Sequence, residues 1–127
     1  MSNLKDITLL VVDDEEIMRS MLANLFTKKG FSVLTAESGN SAFDLVRKSN
    51  IQLIISDMRM PFGDGMSLLE RVRNYDPKIP VVIFMTGFSE IDPEICIAKG
   101  AKKVLNKPFD RTLLLSTVFD SLGLKPA

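Results

Sequence analysis

Asp13 and Asp14 stand together at the end of the apolar run 7–12, and three further polar residues stand in the same relation to later runs. Asp57 follows the run 53–56, Thr86 follows 81–85, and Lys107 follows 104–105 with Asn106 between. Carboxylates, a hydroxyl and an ammonium are the groups that magnesium and phosphoryl chemistry use. Oxygen donors suit Mg²⁺ better than zinc or copper. Neighbouring carboxylates repel unless a cation or raised pKa values relieve them. A carboxylate can also accept a phosphoryl group as an acyl phosphate, a transfer governed by positioning and charge neutralisation. Taken singly, each residue has an ordinary reading. The run Asp13-Asp14-Glu15-Glu16 complements a helix dipole, Asp57 and Thr86-Gly87 suit turns, and Lys107 suits a solvated surface. The chemistry exists only if the fold brings them to one place.

Parallel strands in one sheet would do so, because open α/β sheets gather their ligands at the carboxyl edge. Apolar runs alternate with helical patterns five times along the chain, the rhythm of a βα repeat. Residues 7–12 are nearly all apolar, as in a strand buried on both faces. Glu16 to Lys29 places Ile17, Met21, Leu22, Leu25 and Phe26 at helical spacing, with Gly30 as the stop. Residues 32–36 alternate, as an edge strand does. Ser38 caps a helix to about Ser49, residues 52–56 form the third strand, and Pro61 and Gly63 keep the following loop irregular. A helix from Gly65 buries Leu68, Leu69 and Val72. After the strand at 81–85, Asp92-Pro93 opens a short fourth helix. The fifth strand lies near 103–105, and Asp110 caps a last helix. The expected fold is α/β: a doubly wound, five-stranded parallel sheet of order 2-1-3-4-5, flavodoxin-like (βα)5. In that order the four strands that carry the polar residues are adjacent.

The bulk numbers narrow the function. A chain of 127 residues favours one domain, here 1–127. Lys plus Arg and Asp plus Glu each number 16, so net charge gives no nucleic-acid or anionic-membrane footprint. No run is long enough to span a membrane or to serve as a secretion signal. Histidine is absent, which excludes a Ser-His-Asp triad and a histidine-held zinc. The one cysteine, Cys96, has no disulfide or ligand companion and reads as core. A cytoplasmic location is expected. Arg71, Arg73, Lys102 and Lys103 read as solvated.

The motifs Leu10-Val11-Val12-Asp13-Asp14-Glu15, Ser56-Asp57-Met58-Arg59-Met60-Pro61 with Gly65, Met85-Thr86-Gly87 and Lys107-Pro108-Phe109 occur in order. With them the chain resembles the receiver domain of two-component response regulators, of the stand-alone CheY-like type. The resemblance implies that Asp57 is the phosphoacceptor, supplied by a sensor histidine kinase or a phosphotransfer protein. It implies that Asp14, Asp57 and the Arg59 backbone carbonyl hold Mg²⁺ directly and Asp13 through water. Thr86 and Lys107 would bind the phosphoryl oxygens, and Lys107–Pro108 would be cis. The readout face for a downstream protein target would be helix 4, strand 5 and helix 5. The domain would be a monomer or a weak phosphorylation-dependent dimer, without direct nucleic-acid or membrane contact. It would be no turnover enzyme, only a Mg²⁺-dependent self-phosphorylating and autodephosphorylating module.

Two departures follow. Val104 stands where family members commonly place an aromatic switch residue. Arg59 and Phe88, both bulky, stand where the family tunes dephosphorylation, which implies slow hydrolysis. A phosphorylation-independent interaction module of the same fold is the alternative; the complete site speaks against it and Val104 for it. A Mg²⁺-dependent phosphatase is disfavoured by Arg59, where such enzymes usually carry a second aspartate.

Overall fold

The computed structural model describes residues 3–87 and 92–125. Five parallel strands, β1 (Thr8–Val12), β2 (Ser32–Ala36), β3 (Leu53–Asp57), β4 (Val81–Thr86) and β5 (Lys103–Asn106), form one sheet of order β2-β1-β3-β4-β5. They alternate with α1 (Glu16–Lys29), α2 (Gly39–Lys48), α3 (Gly65–Tyr75), α4 (Pro93–Ala98) and α5 (Arg111–Ser121). The expected order is therefore the observed one.

Strand composition explains the layering. Along β1, Leu9 and Val11 enter the core beneath α1 and α5, while Leu10 and Val12 enter the core beneath α2, α3 and α4. Both faces are covered, so the strand reads as a continuous apolar run rather than an alternating one. The caps lie where side-chain chemistry puts them. The Ser38 hydroxyl accepts from Ser41 N, the Asp64 carboxylate from Ser67 N, and the Asp110 carboxylate from Leu113 N. Each satisfies a backbone donor that the first turn leaves open. Asp92 caps α4 ahead of Pro93, and this helix is short, as expected. Gly30, at φ 111°, closes α1 in a left-handed conformation that costs glycine little.

Three strands run past the ends expected from apolarity alone: β3 reaches Asp57, β4 Thr86 and β5 Asn106. Backbone pairing continues through polar residues when a neighbour offers a partner, here Asp57 opposite Met85 and Thr86 opposite Asn106. Gln52 lies outside β3, though its side-chain oxygen accepts from Thr8 N at 2.6 Å.

Some assignments need correction. Ile17 and Met21 are 77% and 51% exposed, while Leu22 and Phe26 are buried. The covered stripe of α1 runs through Met18, Leu22, Leu25 and Phe26; Ile17 and Met21 share the helical period but lie to one side of it. Arg73 is not solvated. Its guanidinium donates to the carbonyls of Pro80 (2.6 Å), Gly100 (3.1 Å) and Asp76 (3.2 Å). Arg71 stacks over the Phe43 ring at 4.4 Å and donates to Asn40 Oδ1. Lys102 and Lys103 are exposed, as expected.

The β3–α3 loop carries two close fits. Phe62 has φ 59°, a left-handed conformation costing a residue with a Cβ about 1–2 kcal/mol. Gly65 N donates to Met58 O at 2.8 Å. A Cβ on Gly65 would lie 2.7 Å from Asp57 O and 3.0 Å from Met58 Cα. Those neighbours are backbone and cannot rotate away. Gly65→Ala is therefore expected to destabilise the fold by about 1–3 kcal/mol, read as a lower urea midpoint with an unchanged slope.

Candidate functional site

Register assembles the site. Val12 lies opposite Ser56 and Asp57 opposite Met85, so Asp13 emerges level with Asp57, one residue short of Thr86 on the next strand. Lys107 N donates to Thr86 O at 2.8 Å, which brings the fifth strand's end to the same edge. The structure thus brings together Asp13, Asp14, Asp57 and Lys107, four of the residues singled out from sequence. One carboxylate oxygen from each of Asp13, Asp14 and Asp57 lies within 4.8 Å of the others.

Lys107 Nζ sits 3.3 Å from Asp13 Oδ2 and 3.3 Å from Asp57 Oδ2. The second oxygen of each carboxylate is held by backbone: Asp13 Oδ1 accepts from Glu15 N at 2.9 Å, and Asp57 Oδ1 from Met58 N at 2.8 Å. Each of these two carboxylates is therefore fixed in rotation, one oxygen turned to a peptide N–H and the other to the ammonium. Asp14 is exposed and forms the outer member. Thr86 is buried at the end of β4, and Arg59 lies two residues beyond Asp57 with its side chain exposed. The Lys107–Pro108 bond is cis, as expected, and Ile79–Pro80 is cis as well.

Electrostatics make the cluster hungry for a cation. Burial pushes the Asp57 carboxyl above the usual carboxylate range; Lys107 opposes that rise and Asp13 adds to it. Burial pulls the Lys107 ammonium down, but Asp57 and Asp13 together outweigh it and hold its pKa above the ordinary value. Three carboxylates gather beside one ammonium, which reaches two of them, and the Arg19 guanidinium at the Asp13 carbonyl still leaves negative charge in excess within this group. The donors are all oxygen, without imidazole or thiolate, which fits a hard cation such as Mg²⁺.

Sequence reasoning missed three supports. Arg19 donates to the Asp13 backbone carbonyl at 2.8 Å from one turn into α1. Ser56 Oγ donates to Asp57 O at 2.8 Å. A cleft of about 450 Å³, lined by Asp14, Glu37, Ser38, Pro61 and Phe62, opens beside the cluster. None has a spacing signal, because each depends on a backbone oxygen or on loop shape. Val104 is half-buried and packs against the core beneath α2, α3 and α4. Phe88 lies outside the described residues.

The same arrangement recurs in known proteins. The family model "Response regulator receiver domain" matches residues 9–119. Sporulation initiation phosphotransferase F of Bacillus subtilis is 35% identical over 118 residues, covering 92% of this chain and 94% of that protein. The transcriptional regulatory protein GlrR of Escherichia coli is 34% identical over 114 residues, 90% of this chain but 26% of that protein. The chain thus spans about a quarter of the length of such regulators. A solved response regulator receiver domain from Clostridium thermocellum superposes with a TM-score of 0.86 at 28% identity, covering 92% of this chain and 94% of that one. Matching sequence, sheet order and strand-end chemistry agree: the chain belongs to the response regulator receiver domains of two-component signalling.

Proposed function

We propose that Asp57 is the phosphoacceptor of this receiver and that Asp13, Asp14, Asp57 and the Arg59 carbonyl hold Mg²⁺. The observation that carries the reading is Lys107 bridging Asp13 and Asp57 beside a third carboxylate. In the transfer, an Asp57 carboxylate oxygen bonds to phosphorus as the donor's N–P bond breaks. The electron pair stays on the imidazole nitrogen, which gains a proton. Met58 N–H keeps the carboxylate from rotating, which lessens the reorganisation that attack requires. Lys107 meets the charge on the phosphoryl oxygens, and the Thr86 hydroxyl donates to one of them. When bound, Mg²⁺ would supply the remaining positive charge.

The phosphorylated aspartate adds up to about two negative charges at one fixed point. This biases the domain between two pre-existing states read at the α4–β5–α5 face by a downstream protein target. Receiver domains are signalling modules that work with histidine kinases or phosphotransfer proteins. For this chain the donor is a sensor histidine kinase or a phosphotransfer protein. Residues 1–127 act as one receiver domain, monomeric or weakly dimeric on phosphorylation. Its own chemistry is limited to self-phosphorylation and autodephosphorylation, without direct nucleic-acid contact. A cytoplasmic place belongs to the same proposal; no helix among the described residues is long and apolar enough to cross a membrane. The complete site favours this reading over a phosphorylation-independent module.

Phosphoramidate with Mg²⁺ is expected to add a single phosphate, seen by intact mass, and EDTA is expected to abolish the addition. Equal uptake with and without the metal, or none at all, would overturn the assignment.

A further inference from the structure

We infer that Phe62 is a contact residue for the protein that donates the phosphoryl group, selecting that partner without taking part in the transfer; this rests on the phosphoacceptor reading above. Phe62 is 78% exposed, with Ile17 at 77% the most open of the large apolar side chains among the described residues. A ring left this open gains little from burial in its own fold. It also sits at φ 59°, followed by Gly63 at φ 102°. Glycine or asparagine would take the first of these positions more cheaply. The side chain therefore brings strain to the loop and returns little packing.

The conformation is held firmly. Asn40 N donates to Phe62 O at 3.2 Å, and Gly39 N donates to Gly63 O at 2.8 Å. Two open donors in the first turn of α2 are thereby satisfied by the loop. A Cβ on Gly63 would lie 2.9 Å from Asn40 Oδ1 and 3.0 Å from Asn40 N, so loop and helix are in close contact. The ring is presented from a seated backbone, which lowers the cost of ordering it on binding.

Its place identifies the partner. Phe62 follows Asp57 by five residues and, with Pro61, walls the 450 Å³ cleft whose other lining includes Asp14, Glu37 and Ser38. A protein that brings a phosphohistidine to Asp57 must cover this mouth, whereas a small phosphodonor need not touch the rim. Glu37, the lining carboxylate that the metal does not claim, suits a donor surface with apolar and basic side chains, since an aromatic face also attracts a cation. Exposed, rigidly held aromatic side chains are the usual anchors of protein interfaces.

The test compares two donors on three proteins: the unaltered chain, Phe62→Ala and Phe62→Gly. The small donor is phosphoramidate with Mg²⁺. The protein donor is the member of a panel of autophosphorylated sensor-kinase cores that transfers fastest to the unaltered chain. Both variants are expected to lose about tenfold or more in kcat/KM for the kinase core, the loss of one interface anchor, and to stay within about twofold with phosphoramidate. Phe62→Gly, with the strain relieved, should melt no lower than the unaltered chain, which separates lost contact from lost folding. Unchanged transfer from the kinase core overturns the inference, and so does an equal loss with both donors, which would mean that the ring acts through site geometry. If no core transfers to the unaltered chain while phosphoramidate does, the partner class is wrong. Absence of uptake even from phosphoramidate instead removes the reading on which the inference rests.

Discussion

Asp57→Asn is expected to take up no phosphate from phosphoramidate and Mg²⁺ under conditions in which the unaltered chain takes up one equivalent. The choice of nucleophile is sharp because Asp13 and Asp14 are carboxylates in the same cluster. Asp13 is the most enclosed, 1% exposed; its contacts to Glu15 N and Lys107 mirror those of Asp57, so enclosure is what sets it apart. Asp14 is the most open and lacks the burial that makes fixed charges strong. Asp57 lies between these extremes, half-enclosed, with one oxygen on a peptide N–H and the other facing the ammonium. The amide oxygen of the introduced asparagine can still accept from Met58 N, so the strand end should keep its shape. Residual uptake by the variant would transfer the role to a neighbour.

The same substitution has an opposite effect on stability. Burial raises the Asp57 pKa in the folded chain, so the folded state holds this proton more tightly than the unfolded one. Stability therefore falls as pH rises from the unfolded carboxylate pKa of about 3.9 through the folded value. Above that window the charged form opposes folding in full. In EDTA at neutral pH, Asp57→Asn should thus melt higher than the unaltered chain, and the gain should fade below about pH 4. A loss of stability at neutral pH would mean that attraction to Lys107 outweighs burial.

Much of this was legible in the sequence because two independent signals coincide. Continuous apolar runs mark strands covered on both faces, and a polar residue ends each run where the sheet meets solvent. Asp13, Asp57 and Lys107 were placed that way, and the parallel register then carried them together. What stayed illegible depends on backbone atoms or on packing geometry. The left-handed Phe62 has no compositional signal, since its residue type argues against it. Arg73 is held by three carbonyls from separate segments, which no spacing reveals. Ile17 and Met21 share the period of α1 with its core residues, and periodicity alone does not fix the width of the covered stripe. The last residues of β3, β4 and β5 are polar, so hydropathy ended those strands one residue early.

Lys107→Met should separate the two tasks that meet at this edge, weakening phosphoryl uptake while tightening metal binding. Methionine keeps much of the length and apolar stem of lysine but removes the charge. Uptake from phosphoramidate should fall by about a hundredfold, the loss expected when a preorganised charge on the transferring group is removed. Mg²⁺, followed by titration calorimetry, should bind about tenfold more tightly, roughly 1.4 kcal/mol, because the ammonium no longer competes for Asp13 and Asp57. In EDTA the variant should be less stable by about 1–3 kcal/mol, less than a fully buried pair would lose because Lys107 keeps 17% of its side-chain surface in water. The Lys107 pKa is raised in the folded chain, so its stabilisation is complete below the unfolded value of about 10.4 and is lost only as pH climbs through the folded one. At neutral pH the difference between the proteins is therefore fully expressed, and adding Mg²⁺ should raise the melting temperature of the variant more than that of the unaltered chain. Weaker metal binding in Lys107→Met would mean that the ammonium orders the carboxylates rather than competing for them. The site would then depend on Lys107 for its shape, and the loss of uptake could not be assigned to charge on the phosphoryl group.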